Sequence, residues 1–324
     1  MKEKKTYTYD IICIGDAGMD AYAGIHDASL LCNINKTDCW FCLNFAEKIP
    51  IEELHFTLGG NGCNVAVGSA RLGLKSAFYT IVGTDDTGKK ILHTLEYEGV
   101  SLEYITSKKN SRSNYAVALM YKKERTILSY HIPRVYALPK FSQTKWIYLT
   151  SLGNGFERVY ARLLSQLKQS DIQLAFNPGT RQLRAGRKVL DPILKKTEIL
   201  FLNKEEGGMV LGKESGYPIE KIAKELHALG PHMVVVTDAS HGACGFDGKK
   251  IFIQKVLPAK VKEKTGAGDA FATGTVAALI QGKHLGEALI WGAANSASVV
   301  EHLGPQAGLL TKQKLLGRIK KSKN

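Results

Sequence analysis

The sequence predicts an α/β fold, with a mostly parallel sheet covered by helices on both faces. Two observations predict it. Short apolar, β-branched runs recur along the 324 residues, and segments with apolar side chains at three- and four-residue spacing lie between most of them. A third observation adds a smaller element, because two stretches break this alternation.

The strand-like runs cover residues 10–15, 77–82, 146–150, 172–176, 199–202 and 233–237. The helical patterns cover residues 64–72, 88–97, 156–167 and 219–229. Strands alternating with helices imply parallel pairing with crossover helices. The two exceptions run from about residue 17 to 58 and from about 101 to 134. The second holds β-like runs at 115–121 and 126–130 around the turn Lys122-Lys123-Glu124-Arg125. Both stretches are expected to leave the main sheet and pair as a small lid. Neither a repeat nor a separating linker is evident, so one domain spanning 1–324 is expected.

Composition narrows the class. Hydrophobic residues make up 44% and charged residues 23%, which supports a sizeable core and excludes disorder as the main description. The longest apolar candidate, residues 270–280, is too short and too interrupted to span a bilayer. The apolar run at the start, Ile11 to Ile14, is too short for a secretory signal. A soluble cytoplasmic protein with no membrane partner is expected.

The net charge of +14 favours anionic partners such as phosphates and nucleotides. The dense basic clusters are Lys2, Lys4 and Lys5 at the start, and Lys312, Lys314, Arg318, Lys320, Lys321 and Lys323 at the end. No zinc-finger, homeodomain or RNA-recognition pattern accompanies them, so no nucleic-acid partner is expected.

Of six cysteines, Cys13 and Cys63 sit in apolar or tight contexts and read as buried hydrophobes. Without a secretory signal, a disulfide framework is not expected. His26, Cys32, Cys39 and Cys42 have the spacing His-x5-Cys-x6-Cys-x2-Cys, which could supply four ligands to a structural zinc ion. Ordinary reduced thiols are the alternative.

Three glycine-bearing segments carry the chemistry. In Lys264-Thr265-Gly266-Ala267-Gly268-Asp269, small residues run into a long apolar helix. Backbone N–H groups can converge at that helix start, where the peptide dipoles favour an anion. A carboxylate beside a phosphate site makes sense as a base that takes a proton from an attacking hydroxyl. The plainer alternative is a glycine-rich helix start with Asp269 as its cap. Next, Gly59-Gly60-Asn61-Gly62-Cys63-Asn64 also enters a helix. Glycine permits close approach of a ligand, and the Asn carboxamides can bind hydroxyls without adding charge. Third, Gly15-Asp16-Ala17-Gly18-Met19-Asp20 follows the first strand at its carboxyl end, where open α/β sheets bind ligands. Asp20 could accept from sugar hydroxyls, and Asp16 could cap a turn.

Two near misses are rejected. Gly207 to Lys213 approaches a P-loop pattern, but Glu214 stands where a Ser or Thr must ligate magnesium. No Gly-x-Gly-x-x-Gly follows a strand-like run, so a dinucleotide fingerprint is missing.

Together, the segments at Gly59–Gly73 and Thr265–Gly274 resemble the two signatures of the ribokinase-like (PfkB) carbohydrate and nucleoside kinase family. Asn203-Lys204-Glu205-Glu206 is similar to the family's Asn-x-x-Glu element, and Thr237 to Gly242 is similar to its nucleotide loop. The resemblance implies a three-layer α/β/α sandwich with a β lid, and transfer of the γ-phosphoryl group of ATP, with Mg2+, to a hydroxyl. It implies Asp269 as catalytic base and Gly266, Ala267 and Gly268 with Asp269 as an anion hole. It places Asp20, Gly60, Asn61 and Asn64 at the acceptor, with Arg181 meeting the transferred phosphate. Asn203 and Glu206 would organise magnesium and its waters, and Thr237, Gly242 and Asn295 would surround the nucleotide.

The chain departs from the family pattern at Glu263-Lys264, where Asp-Thr is usual, and at Ala239, where Gly is usual. Many relatives bind a monovalent cation there, so the Lys264 ammonium is expected to stand in for it. The expected acceptor is a ribose-like pentose. A nucleoside (adenosine, guanosine or cytidine) is the next alternative. A sugar phosphate bound by Arg112, Arg134 or Arg181 is third. A non-catalytic sensor of nucleotide or sugar is the alternative of another class. Unpaired lid edges would allow a homodimer.

Overall fold

The computed structural model describes residues 7–33, 39–122, 124–141, 143–213 and 216–322. The Lys2, Lys4 and Lys5 cluster, Lys123, Glu214 and Lys323 lie outside them. The first third of the chain forms β1 (Tyr9–Ile14), β2 (Gly18–Gly24), β3 (Ser29–Cys32), β4 (Cys39–Cys42), β5 (Glu53–Gly59), α1 (Asn61–Arg71), β6 (Ser76–Gly83), α2 (Asp86–Tyr97) and β7 (Ile105–Lys108). The middle forms β8 (Asn114–Tyr121), β9 (Glu124–Tyr130), β10 (Thr144–Leu149), α3 (Phe156–Leu167), β11 (Gln173–Phe176), α4 (Thr180–Arg184), α5 (Arg187–Leu194), β12 (Ile199–Asn203) and α6 (Lys204–Leu211). The remainder forms α7 (Ile219–His227), β13 (Met233–Thr237), β14 (Ala243–Phe246), β15 (Ile251–Gln254), α8 (Ala267–Ile280), α9 (Leu285–Val299) and α10 (Lys312–Lys321).

The large sheet runs β15-β14-β13-β12-β11-β10-β1-β6-β7. Its strands from β13 to β7 pair in parallel, while β14 pairs antiparallel with both β13 and β15. Alternation along each strand feeds two cores. Ile11 and Cys13 of β1 join α1, α2, α8 and α9 on one face. Ile12 and Ile14 join α3, α5 and α7 on the other. These are the three layers of an α/β/α sandwich.

The two stretches that break the alternation form a separate sheet in the order β5-β2-β8-β9. β7, inside the second stretch, instead joins the edge of the large sheet beside β6. A third, two-stranded sheet pairs β3 with β4, and Cys32 faces Cys39 in its register. Those two sulfurs are joined in a disulfide. This corrects two expectations at once. A disulfide sulfur is no thiolate, so Cys32 and Cys39 cannot ligate zinc. His26 lies 3.3 Å from Glu52 instead, and no group of three or more metal-ligating side chains occurs among the described residues.

No helix among the described residues is long and apolar enough to cross a membrane. Gly207 and Gly208, read above as part of a failed P-loop, lie inside α6.

Candidate active site

A cleft of about 420 Å³ opens between the carboxyl ends of the large sheet and the smaller sheet. Its walls bring together Asp20, Gly60, Asn61, Asn64, Asn203, Glu206, Thr237, Gly266, Gly268 and Asp269, which lie in five separate stretches of sequence.

The floor is the start of α8. Gly266 caps the helix at φ 78°, a conformation glycine adopts without strain, and an added Cβ would strike Pro305 at 2.4 Å. A Cβ on Gly268 would meet nothing within 4 Å, so this residue faces open space. The first-turn N–H groups have no intrahelical acceptor, and the helix dipole adds partial positive charge there. An anion fits this turn.

Asp269, 8% exposed, stands in the first turn of α8. Asn64 of α1 donates from Nδ2 to its Oδ2 at 2.8 Å. Burial pushes the carboxyl up to about 7, against the Asn64 bond and with the help of the Glu206 charge. A carboxylate in that range can both accept and return a proton near neutrality.

The acceptor side is built by β2, β5 and the turn into α1. The Asp20 carboxylate lies against Gly59, where an added Cβ would fall 2.2 Å from Oδ1. Burial pushes Asp20 up to about 6. Gly60 sits at φ 103°, with the Asp16 carbonyl where a side chain would go. Asp16 itself turns away from the cleft: Tyr136 Oη donates to it at 2.8 Å, as does the Gly153 N–H.

Asn203 and Glu206 form a capping box at the start of α6. Asn203 Oδ1 accepts from the Glu206 N–H at 2.7 Å, and Glu206 Oε2 accepts from the Asn203 N–H at 2.9 Å. Burial raises the Glu206 carboxyl. One half-buried carboxylate in the cleft wall suits Mg2+, which takes few protein ligands and fills its shell with phosphate oxygens and water.

Other expected residues stand elsewhere. Asn295 is fully buried; its Nδ2 donates to the Ala270 carbonyl and its Oδ1 accepts from the Leu310 N–H, so it braces α8 against the chain's end. Both polar atoms of its side chain are engaged within the protein. Arg181 donates to Asn154 Oδ1 at 2.5 Å, outside the cleft lining. Arg134 donates to Ser111 Oγ and the Arg112 carbonyl, and neither it nor Arg112 lines the cleft. Gly242, at φ 100°, closes the turn after Thr237 but does not line the cleft either. Ala239 adopts φ 43° in that turn.

Lys264 enters the anion turn, its carbonyl accepting from the Ala267 N–H at 3.3 Å. Its ammonium is exposed and lies 2.9 Å from Glu124 of β9. The cation that meets buried Glu263 is the Arg125 guanidinium, at 3.4 Å. Glu263 in turn accepts from the Thr265 N–H at 2.6 Å and from the Thr265 hydroxyl. Arg125, Pro305 and Gln306 escaped the sequence reading. Arg125 and Gln306 meet partners well over one hundred positions away, Pro305 packs on Gly266 across about forty, and no local pattern marks them.

Fold and site together define a phosphotransferase with a hydroxyl acceptor. Residues 30–312 match the pfkB family carbohydrate kinase description. The chain belongs to that family. It is 26% identical over 259 residues to an ATP-dependent 6-phosphofructokinase of Thermoanaerobacterium thermosaccharolyticum, covering 76% of this chain and 80% of that one. It is 26% identical over 281 residues to a ribokinase of Haemophilus influenzae, covering 83% and 90%. The ribokinase of Arabidopsis thaliana, solved with ribose and ATP, superposes with a TM-score of 0.78 at 23% identity, covering 96% of this chain and 99% of that one.

Proposed function

We propose that the protein transfers the γ-phosphoryl group of ATP to a primary hydroxyl of a ribose-like pentose. The observation that carries this is the Asp269 carboxyl, held at the glycine-rich start of α8 in one cleft with Asp20. The acceptor hydroxyl approaches Asp269, which takes its proton as the oxygen bonds to the γ-phosphorus. The bond from that phosphorus to the β-bridging oxygen breaks, and ADP leaves with the electron pair. The α8 N–H groups balance charge on the moving group. Asp20 and Asn61 hold the remaining hydroxyls. Glu206 and Asn203 would hold Mg2+, which neutralises phosphate charge when bound, and Thr237 lies at the nucleotide end.

The sheet β5-β2-β8-β9, drawn from the stretches of about 17–58 and 101–134, acts as a lid that excludes water, which would compete as acceptor. Its exposed Leu54, Phe56, Ile127 and Leu128 support a homodimer through this sheet, testable by sedimentation. The cytoplasm supplies ATP and is the proposed location. A reducing pool there would act on the Cys32–Cys39 bond.

A second reading, a sugar-phosphate acceptor, is favoured by Arg125 in the cleft wall. The deciding experiment measures ADP formation with ribose, fructose, fructose 6-phosphate and nucleosides. Turnover fastest with ribose supports the proposal. Fastest turnover with fructose 6-phosphate favours the second reading, and fastest turnover with a nucleoside favours a nucleoside kinase. Binding without turnover on any of them would mark a sensor.

A further inference from the structure

We propose that Gln306 is a positioning residue for Asp269, acting through Asn64. This rests on Asp269 being the base. Gln306 Nε2 donates to Asn64 Oδ1 at 3.0 Å, and Asn64 Nδ2 donates to Asp269 Oδ2 at 2.8 Å. The loop carrying Gln306 is itself fixed. Arg71 Nη1 donates to the Gln306 carbonyl at 2.7 Å and to the Leu309 carbonyl at 3.1 Å, while its Nη2 lies 2.6 Å from Glu98. Pro305, one residue earlier, packs against Gly266.

The chain of amides has a polarity. A carboxamide offers a donor on one side and an acceptor on the other. With Gln306 donating to its oxygen, Asn64 must present its NH2 to Asp269, and that orientation suits an ionised carboxylate. Turned over, Asn64 would set an oxygen against Asp269 Oδ2 and a donor against Gln306 Nε2. The first contact is tolerable only if Asp269 carries a proton. With its Nε2 turned to Asn64 and Cys63, Gln306 favours the ionised base and reserves Oδ2 for Asn64. Oδ1, which has no hydrogen bond among the described residues, is left to take the acceptor's proton. Asn64, expected to face the acceptor, is thus engaged mainly with the base.

Of the neighbouring titratable groups, Glu206 of α6 acts on Asp269, while the Asp269 charge raises the buried Tyr148 hydroxyl of β10 and Cys63 thiol of α1. Removing the Gln306 donor leaves Glu206 and Tyr148 untouched and takes one weak bond, 3.6 Å long, from Cys63 Sγ, a buried thiol that stays neutral.

The test reads the base directly and needs no identified acceptor. Protein labelled at aspartate Cγ is titrated by carbon NMR, with the Asp269 signal assigned by its loss in Asp269→Asn. Gln306→Met, neutral and of similar length but without a donor, should raise the Asp269 midpoint by about half to one pH unit. In an Asn64→Leu background the same substitution should leave it unmoved. An unshifted midpoint in Gln306→Met, or an undiminished shift without Asn64, overturns the proposal. Should Gln306→Met not fold, Gln306→Leu carries the same test. Failure of the base assignment itself shows separately, as wild-type turnover in Asp269→Asn.

Discussion

Arg125 of β9 and Glu263, two residues before the glycine turn, join the smaller sheet to the anion-binding end of α8. The guanidinium Nη1 lies 3.4 Å from Glu263 Oε1, the same oxygen that accepts from Thr265. Adjacent Glu124 and Lys264 form the reciprocal pair at 2.9 Å. Two neighbouring residues on each side are thus clasped crosswise. The exposed pair contributes little, but the Glu263 carboxylate is almost wholly buried and depends on its partner.

Arg125→Met should therefore destabilise the protein by about 1–3 kcal/mol, because a buried carboxylate loses a counter-ion that is itself partly exposed. Pairing it with Glu263→Met should recover most of that loss. Thermal unfolding of the three variants checks this; a double variant no more stable than Arg125→Met would disprove the coupling.

Gly266 and Gly268 separate structure from chemistry. Gly266→Ala should lower thermal stability, since its Cβ would meet Pro305 at 2.4 Å in a left-handed backbone. Gly268→Ala should fold normally, with nothing within 4 Å of the new methyl, yet bind nucleotide at least tenfold more weakly. Calorimetric titration with ATP measures the second effect, and unchanged affinity would remove Gly268 from the anion site.

The raised Asp269 carboxyl makes a stability prediction with a definite sign. Its folded value of about 7 exceeds the ordinary 3.8, so folding favours the protonated form. That contribution is full below about pH 4 and is lost as pH rises through 7. Asp269→Asn, which stays neutral, should match wild type in acid and become more stable than it above pH 7, by at most about 4 kcal/mol. A pH-independent difference in denaturant midpoints would contradict the burial of an ionisable group there.

The cysteines give a chemical count. Unfolded without reductant, the protein should show four reactive thiols, matching Cys13, Cys42, Cys63 and Cys244. After reduction it should show all six. Six thiols at the outset would show the Cys32–Cys39 bond absent.

Much of the sheet was legible because buried parallel strands read as unbroken apolar runs, as in β1, β6 and β13. The edge hairpin β14–β15 was not: its strands are four residues each and hold Gly245 at the centre of one. Nor was α9, which packs against α8 and is apolar on nearly every side, so the three- and four-residue rhythm disappears. In the site, Gly60 and Gly266 announced themselves because positive φ at a helix start demands glycine. The bracing role of Asn295 was not legible, since a polar residue in a helix reads the same whether it faces a ligand or braces the core. Gln306 and Arg125 could not be read at all, because folding alone brings them to Asn64 and Glu263.

The most direct measurement is the turnover number of Asp269→Asn, with ATP and the best acceptor from the panel, in protein shown by calorimetry to bind nucleotide as wild type does. A fall of about 10²- to 10⁴-fold is predicted, the range a positioned general base supplies. Turnover near that of wild type would contradict the assignment of Asp269 as the group that takes the hydroxyl proton.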